Sequence, residues 1–217
     1  MANTNTSYLR QLAASSGDGT GGWLVTGGVV TGVYVATTET FKKGLWTSGP
    51  ELPYVLYNHC QVEVGGTVVI AGGRLGNYAS GGTLVLKGGA WEEVASMKQG
   101  RNFHACAELS GKVYSIGGDT ASDSNILSSV EIYDPTIDVW TPSPNLPVGI
   151  KTAQAVTYKN MILLLAGVTD GGSANLQIFT LTAGDTTWQT EEFVGVDEES
   201  RSVFPAQIVT SSLIDCP

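Results

Sequence analysis

A repeated spacing of tryptophans and glycine pairs constrains the fold of this chain more than any other feature. A glycine pair, or Ala-Gly in the last copy, follows three successive tryptophans at a constant interval, from Trp46 to Gly72, from Trp91 to Gly117 and from Trp140 to Ala166. The interval from each pair to the next tryptophan varies instead, being longer after Gly117 and Ala166 than after Gly27 and Gly72. A fixed interval indicates strands paired in one register, whereas a varying interval indicates loops. The chain therefore contains four copies of one unit, marked by pairs near Gly27, Gly72, Gly117 and Ala166 and by Trp46, Trp91, Trp140 and Trp188.

Each unit divides into four segments of strand length. The third unit reads NFHACAEL, KVYSIGG, SSVEIYDP and VWTPSPN, with turn signals at Ser110-Gly111 and Asp134-Pro135. None of the segments has the periodicity of an amphipathic helix. The 28 glycines and the low share of charged residues, 14%, also favour sheet and turn. The sequence predicts an all-β fold.

The third unit carries a recognisable combination of residues, at Arg101, His104, Gly117-Gly118, Tyr133-Asp134-Pro135 and Trp140. This combination resembles the repeat of the kelch family, and the resemblance extends from about Trp23 to Thr210. It implies a kelch-type β-propeller with four recognisable four-stranded blades. These form either a closed four-bladed ring or part of a larger ring of six or seven blades.

The two ends of the chain suggest how such a ring closes. Residues 1–22 are predicted to be a polar leader and residues 23–217 to form the propeller. Because WLVTGG begins the first blade at its second strand, Phe204 to Leu213 is expected to supply the missing inner strand. Tyr8 to Ala14 is the alternative source of that strand. The glycine pairs are expected to leave room for an aromatic ring of a neighbouring strand or blade, most simply the repeat tryptophans.

The order of strands in a propeller blade predicts where a ligand binds. The link from second to third strand and the link between blades fall on the same rim, and loops on a rigid scaffold usually carry its binding residues. The polar and aromatic residues of these loops are therefore the candidate binding residues: Tyr57, Arg74, Asn77, Tyr78, Arg101, Asp119, Asp123, Asn125, Lys151 and Asp170.

Cysteine and histidine residues are the side chains best suited to ligate a metal. Three cysteines with wide spacing and no CxxC predict reduced thiols and, in a chain with no apparent secretion signal, a cytoplasmic protein. Cys60 and Cys106 are offset by one repeat position, so alternation is expected to point them to opposite faces. His59 and His104 follow Trp46 and Trp91 at the same interval and are the candidate metal ligands. A structural role is preferred for both, and no cofactor is predicted.

The charge of the chain narrows the choice of partner. A net charge of −9 argues against nucleic acid and against anionic membrane surfaces, and no apolar run is long enough to span a bilayer. A neutral or basic partner is favoured.

The kelch resemblance and the absence of GxSxG, phosphate-loop and HExxH motifs favour a non-catalytic module that binds a protein or peptide. The alternative is a propeller enzyme, either a copper oxidase or a sugar-acid isomerase or hydrolase. Further domains are expected only if the sequence is part of a longer protein.

Overall fold

The computed structural model describes residues 10–121, 125–175 and 177–192, and every regular element within these ranges is a β-strand. The predicted all-β class is confirmed. No helix long and apolar enough to cross a bilayer occurs in these ranges.

Four antiparallel sheets, called blades 1 to 4 in chain order, contain most of the strands. In each blade the strands lie side by side in sequence order, from an inner strand to an outer strand. Blade 1 consists of Ala14–Gly17, Trp23–Thr26, Thr38–Lys42 and Leu45–Ser48, and blade 2 of Cys60–Val64, Thr67–Ala71, Thr83–Lys87 and Ala90–Val94. Blade 3 consists of Ala105–Leu109, Lys112–Ile116, Val130–Asp134 and Val139–Ser143, and blade 4 of Gln154–Tyr158, Met161–Leu165, Gln177–Thr182 and Gln189–Glu192.

The inner strand of blade 1 corrects the predicted boundary and the predicted closure. Ala14–Gly17 pairs with Trp23–Thr26, so part of the supposed leader belongs to the first sheet. The position reserved for Phe204 to Leu213, which lies outside the described residues, is therefore already occupied. The alternative segment, Tyr8 to Ala14, overlaps the observed strand in sequence only at Ala14.

A short lead-in segment precedes each inner strand, at residues 10–13, 56–59, 101–104 and 150–153. The second residue of each segment pairs with the loop that follows the second strand of its own blade. The paired residues are Gln11 with Val29, Tyr57 with Arg74, Asn102 with Asp119, and Lys151 with Val168. The short strands involved are Arg10–Gln11, Val29–Val30, Val33–Tyr34, Arg74–Leu75, Tyr78–Ala79, Ile150–Lys151 and Val168–Thr169. These loops and the lead-in segments together form one rim of the molecule.

The glycine pairs make room for the lead-in segment of the next blade rather than for tryptophan. The second glycine of a pair donates its N–H to that segment's first carbonyl, as Gly73 does to Arg101 over 2.8 Å. A Cβ added at Gly72 would lie 2.6 Å from both the Arg101 carbonyl oxygen and His104 Cε1. Gly28 and Gly118 donate in the same way to Leu56 and Ile150. The prediction that aromatic rings fill this space is wrong, because the lead-in backbone of the next blade occupies it.

The repeat tryptophans join the outer parts of neighbouring blades instead. In Trp91, Trp140 and Trp188 the indole N–H donates to a carbonyl that lies shortly after the preceding repeat tryptophan. These bonds run from Trp91 to Pro50 (2.9 Å), from Trp140 to Ala95 (2.9 Å) and from Trp188 to Pro144 (3.0 Å). The regular tryptophan spacing therefore records a repeated contact between blades.

Apolar side chains fill the space between blades, which pack face to face. Between blades 1 and 2 they are Leu52, Leu56, Ile70 and Leu84, between blades 2 and 3 Val69, Val85, Val113, Tyr133 and Trp140, and between blades 3 and 4 Ile116, Val130, Ile162, Leu164 and Phe179.

A chain of backbone hydrogen bonds links the third residues of the lead-in segments. Asn58 donates to Leu12 (3.0 Å), Phe103 to Asn58 (3.1 Å) and Thr152 to Phe103 (2.8 Å). All four residues have φ between 52° and 56°, a left-handed conformation that is uncommon for non-glycine residues. Within the described part of the chain, no such bond joins Leu12 to Thr152. The three bonds thus link blades 1 to 4 in sequence order.

Candidate functional site: the loop rim and the central channel

Four of the predicted binding residues occupy the repeated pairing positions of the rim. Tyr57 pairs with Arg74 in blade 2, and Asp119 and Lys151 take the corresponding positions in blades 3 and 4. The backbone geometry repeats from blade to blade while the side chains differ. This is how a rigid scaffold displays variable chemistry.

Aromatic side chains from the loops of blades 1 and 2 meet on this rim. The Tyr57 ring stacks on Tyr34 with centroids 4.2 Å apart, and its hydroxyl donates to the Gly76 carbonyl over 2.9 Å. Arg74 Nε donates to the same carbonyl over 3.0 Å. Burial raises the pKa of Tyr57, with the Arg74 charge acting in the opposite direction. Tyr57 is thus a buried support, and Tyr34 rests on it.

Other aromatic side chains extend this group towards solvent. Tyr78 is 60% exposed and Tyr34 is 50% exposed, whereas Tyr54 is half-buried. Burial raises the pKa of Tyr54, and the nearby charges of Glu93 and Tyr78 raise it further. We call Tyr34, Tyr54, Tyr57, Arg74 and Tyr78 the aromatic rim patch. The predicted residue Asn77 is exposed beside Tyr78 in the same hairpin.

Arg101, predicted to lie exposed on the rim, is fully buried. Its guanidinium donates to the carbonyls of Gly117 (2.9 Å) and Ser129 (2.8 Å) and forms a 3.0 Å ion pair with Glu131. Burial lowers the pKa of Arg101, while Glu131 opposes that effect. The prediction is wrong because the lead-in segment turns this side chain into its own blade.

Arg10 has the same environment in blade 1. It donates to the carbonyls of Gly27 (3.0 Å) and Thr37 (3.1 Å) and forms a 2.8 Å ion pair with Glu39. The sequence analysis identified Arg101 but not Arg10 as a repeat residue, because Arg10 falls within the predicted leader. Arg10 could have been identified from its separation from Gly27, which nearly equals the separation of Arg101 from Gly117.

Asp119 is buried in a polar network at the rim of blades 3 and 4. Lys151 Nζ lies 2.8 Å from its carboxylate, and the side-chain amide of Asn102 also donates to that carboxylate. Asn102 is buried and was missed by the sequence analysis. This network leaves Lys151 half-buried at the surface, while Asn125 and Asp170 are exposed. Asp123 lies outside the described residues.

The inner strands and lead-in segments of all four blades surround a central channel of about 310 Å³. Equivalent triplets line it, at Ala13–Ser15, His59–Gln61, His104–Cys106 and Ala153–Ala155. The repeat therefore places both histidines and two of the three cysteines around one cavity.

Cys60 and Cys106, which line this channel on neighbouring inner strands, form a disulfide with their Cα atoms 5.8 Å apart. The prediction of reduced thiols is wrong for this pair. Alternation does place the two cysteines on opposite faces of their own sheets. Neighbouring blades present opposite faces to each other, however, so the offset brings the side chains together. Cys216 lies outside the described residues.

The two channel histidines are buried, and burial favours their neutral forms. His59 Nε2 lies 2.8 Å from the Thr26 hydroxyl, and burial lowers the pKa of His59 to about 3. Burial also holds the pKa of His104 well below its usual range, with the Arg101 and His59 charges adding to this and the backbone of Ala71 opposing it. Neither ring nitrogen of His104 has a hydrogen-bond partner of good geometry.

Comparisons with known proteins agree with this architecture. A family model described as the kelch motif matches residues 100–147. An F-box/kelch-repeat protein of Arabidopsis thaliana is 33% identical over 105 residues, which cover 48% of this chain and 27% of that protein. Kelch-like protein terF of Aspergillus terreus is 30% identical over 149 residues, which cover 61% of this chain and 32% of that protein.

The chain spans about a quarter to a third of the length of these curated relatives. A solved structure described as that of YjhT superposes with a TM-score of 0.76 at 14% identity, covering 89% of this chain and 68% of that one. At this identity the likeness concerns the fold alone. Together with the kelch motif, it supports a propeller-like all-β architecture for the four blades.

Proposed function

Because the chain belongs to the kelch-repeat family, we propose that it is a non-catalytic binding module that holds a protein or peptide on its loop rim. The aromatic rim patch is the observation that carries this proposal. It combines the exposed side chains of Tyr34 and Tyr78 with buried Tyr57, which is held by stacking on Tyr34 and by a hydrogen bond to the Gly76 carbonyl.

Tyrosine suits this role for physical reasons. Its ring contributes a large contact area at a low cost in side-chain entropy, and its hydroxyl bonds to peptide groups of a partner. Binding hot spots are accordingly enriched in tyrosine and arginine. Tyr34 rests on buried Tyr57, so the exposed ring is already ordered before a partner arrives.

Charge selects among possible partners. The chain carries a net charge of −9, which disfavours acidic partners through long-range repulsion. Arg74 is a cation within the patch itself. A neutral or basic peptide with apolar side chains and one local acceptor for Arg74 fits both features.

The proposal can be tested with peptides selected from a random library displayed on phage. Joint replacement Tyr34→Ser and Tyr78→Ser should weaken binding of the selected peptides at least about tenfold, since hot-spot residues contribute on the order of 2 kcal/mol. Because both rings are largely exposed, the thermal transition should stay nearly unchanged.

Ile137→Ser is the matched control. Ile137 is exposed in the turn between the third and fourth strands of blade 3, at the opposite rim. Equal weakening by the Ile137 variant, or undiminished binding by the folded tyrosine variant, would contradict the rim assignment.

A further inference from the structure

The central channel brings together three side chains that ligate soft metal ions. Cys60, His104 and Cys106 offer two sulfur atoms and an imidazole nitrogen that all lie within 4.8 Å of one another. This cluster lies on the inner strands and a lead-in segment, away from the aromatic rim patch. It is not part of the proposed binding function.

We propose that reduction of the Cys60–Cys106 disulfide converts this cluster into a site for one zinc ion, held by the two thiolates and the His104 imidazole. The channel then exists in two forms, a disulfide form without metal and a dithiolate form with metal.

The backbone geometry suits both forms. The Cα atoms of the two cysteines are 5.8 Å apart on neighbouring inner strands. Zinc bonds of about 2.3 Å to sulfur at a tetrahedral angle place two sulfurs roughly 3.8 Å apart. The three ligand atoms already lie within 4.8 Å of one another, and rotation about the cysteine side-chain bonds is the movement that separates the two sulfurs after reduction.

His104 supplies the independent sign that this place is built for a ligand. It is only 7% exposed and lines the channel, yet both of its ring nitrogens lack a hydrogen-bond partner of good geometry. A buried polar group without a hydrogen-bond partner destabilises the folded state, and a bond to a metal satisfies one of the two nitrogens. The equivalent His59 lacks a partner only at Nδ1, because its Nε2 lies 2.8 Å from the Thr26 hydroxyl.

The surroundings fix the imidazole in position. A Cβ at Gly72 would lie 2.6 Å from His104 Cε1, and one at Gly118 would lie 2.7 Å from His104 Cβ. The channel of about 310 Å³ leaves space for a water molecule as fourth ligand. Two thiolates, one imidazole and one water form a tetrahedral set of the kind zinc accepts.

The chemical change is balanced by a dithiol reductant. The reductant gives two electrons and two protons to the disulfide, becomes a disulfide itself, and leaves Cys60 and Cys106 as thiols. Zinc binding then forms two Zn–S bonds and releases the two thiol protons.

The first experiment compares oxidised and phosphine-reduced wild-type protein, titrated with Zn²⁺ and with Co²⁺ as a spectroscopic probe. Reduced protein should bind one equivalent, and its cobalt form should show sulfur-to-cobalt charge transfer. Oxidised protein should show neither. Zn²⁺ should also protect two thiols of the reduced wild type from alkylation, as measured by mass spectrometry, and this readout requires no substitution.

Variants then assign the ligands. Cys106→Ser and His104→Asn should each weaken binding by at least about tenfold, the lower end of losses seen even for residues that only support a metal ligand. Cys216→Ser and His59→Gln are the matched controls and should bind like the wild type. Metal binding that is equal in the oxidised protein, absent from the reduced protein, or kept in the Cys106 variant would overturn the proposal.

Discussion

At the scale of single residues, each blade has an equivalent pair of buried positions, one in the lead-in segment and one in the third strand. This pair is an ion pair in two blades and an apolar pair in the other two. Blades 1 and 3 place Arg10 with Glu39 and Arg101 with Glu131. At the equivalent positions blades 2 and 4 place Leu56 with Leu84 and Ile150 with Phe179. Removing one member of a buried ion pair leaves a charge without compensation, whereas a packed apolar pair has no such vulnerability.

We therefore expect Arg101→Leu to lower the free energy of unfolding by about 3 to 5 kcal/mol, the range for breaking a buried pair. Arg101→Leu with Glu131→Leu imitates blade 2. It should cost about 1 to 3 kcal/mol less than the two single changes summed, because the partners are coupled. Urea unfolding of the four proteins measures this cycle, and additive losses would show that the ion pair does not act as a unit.

At the scale of strands and turns, the tryptophans connect neighbouring outer strands. Trp140 is 5% exposed and donates to the Ala95 carbonyl after blade 2, whereas Trp23 is 58% exposed in the second strand of blade 1. Trp140→Ala should lower the free energy of unfolding by about 3 to 5 kcal/mol, as for other buried aromatic residues. Trp23→Ala should cost less than about 1 kcal/mol, as for exposed substitutions. Similar losses at both positions, measured by urea unfolding, would contradict this account of the repeat.

The turn from third to fourth strand of blade 3 predicts a pH dependence. Hydrogen bonds from Thr136 and Lys112 lower the pKa of Asp134 to about 2. Since the folded state favours the ionised carboxylate, its stabilising effect is present above the unfolded pKa of about 3.9 and is lost as pH falls towards 2. Asp134→Asn should therefore be less stable than the wild type at pH 5. The difference in thermal midpoint should shrink steadily towards pH 2, and a constant difference would contradict this cause.

The strands of blades 2 to 4 could be predicted from sequence because repeat spacing, turn residues and β-branched residues all agree there. The inner strand Ala14–Gly17 could not, since ASSG has weak strand propensity and forms through its bonds to Trp23–Thr26. Among the candidate site residues, Tyr78 and Asn77 are exposed in the rim as predicted from loop position. The burial of Arg101 could not be predicted in this way. The direction of its side chain is set by bonds to Ser129 and Glu131, which are distant in the sequence, so the local pattern around Arg101 does not indicate it.

At the scale of the whole molecule, hydrogen bonds between the lead-in segments link neighbouring blades beside the channel. Leu12 begins the chain of inter-blade hydrogen bonds, and Arg10 pairs with buried Glu39. The N-terminal part of the described chain therefore supports blade 1 and its contact with blade 2 together.

Because of these contacts, deletion of N-terminal residues should destabilise the protein more than is expected if residues 1–22 are only a polar leader. Removing residues 1–18 takes away the inner strand of blade 1, the Arg10 side chain that forms an ion pair with Glu39, and the Leu12 carbonyl that accepts from Asn58. We expect the deleted protein to lose its cooperative thermal transition or to aggregate, because the remaining edge of Trp23–Thr26 would be unpaired. Removing only residues 1–7 eliminates none of these contacts and should leave the midpoint unchanged. Differential scanning calorimetry and light scattering distinguish the two deletions, and an undiminished transition after removal of residues 1–18 would show that blade 1 does not depend on this strand.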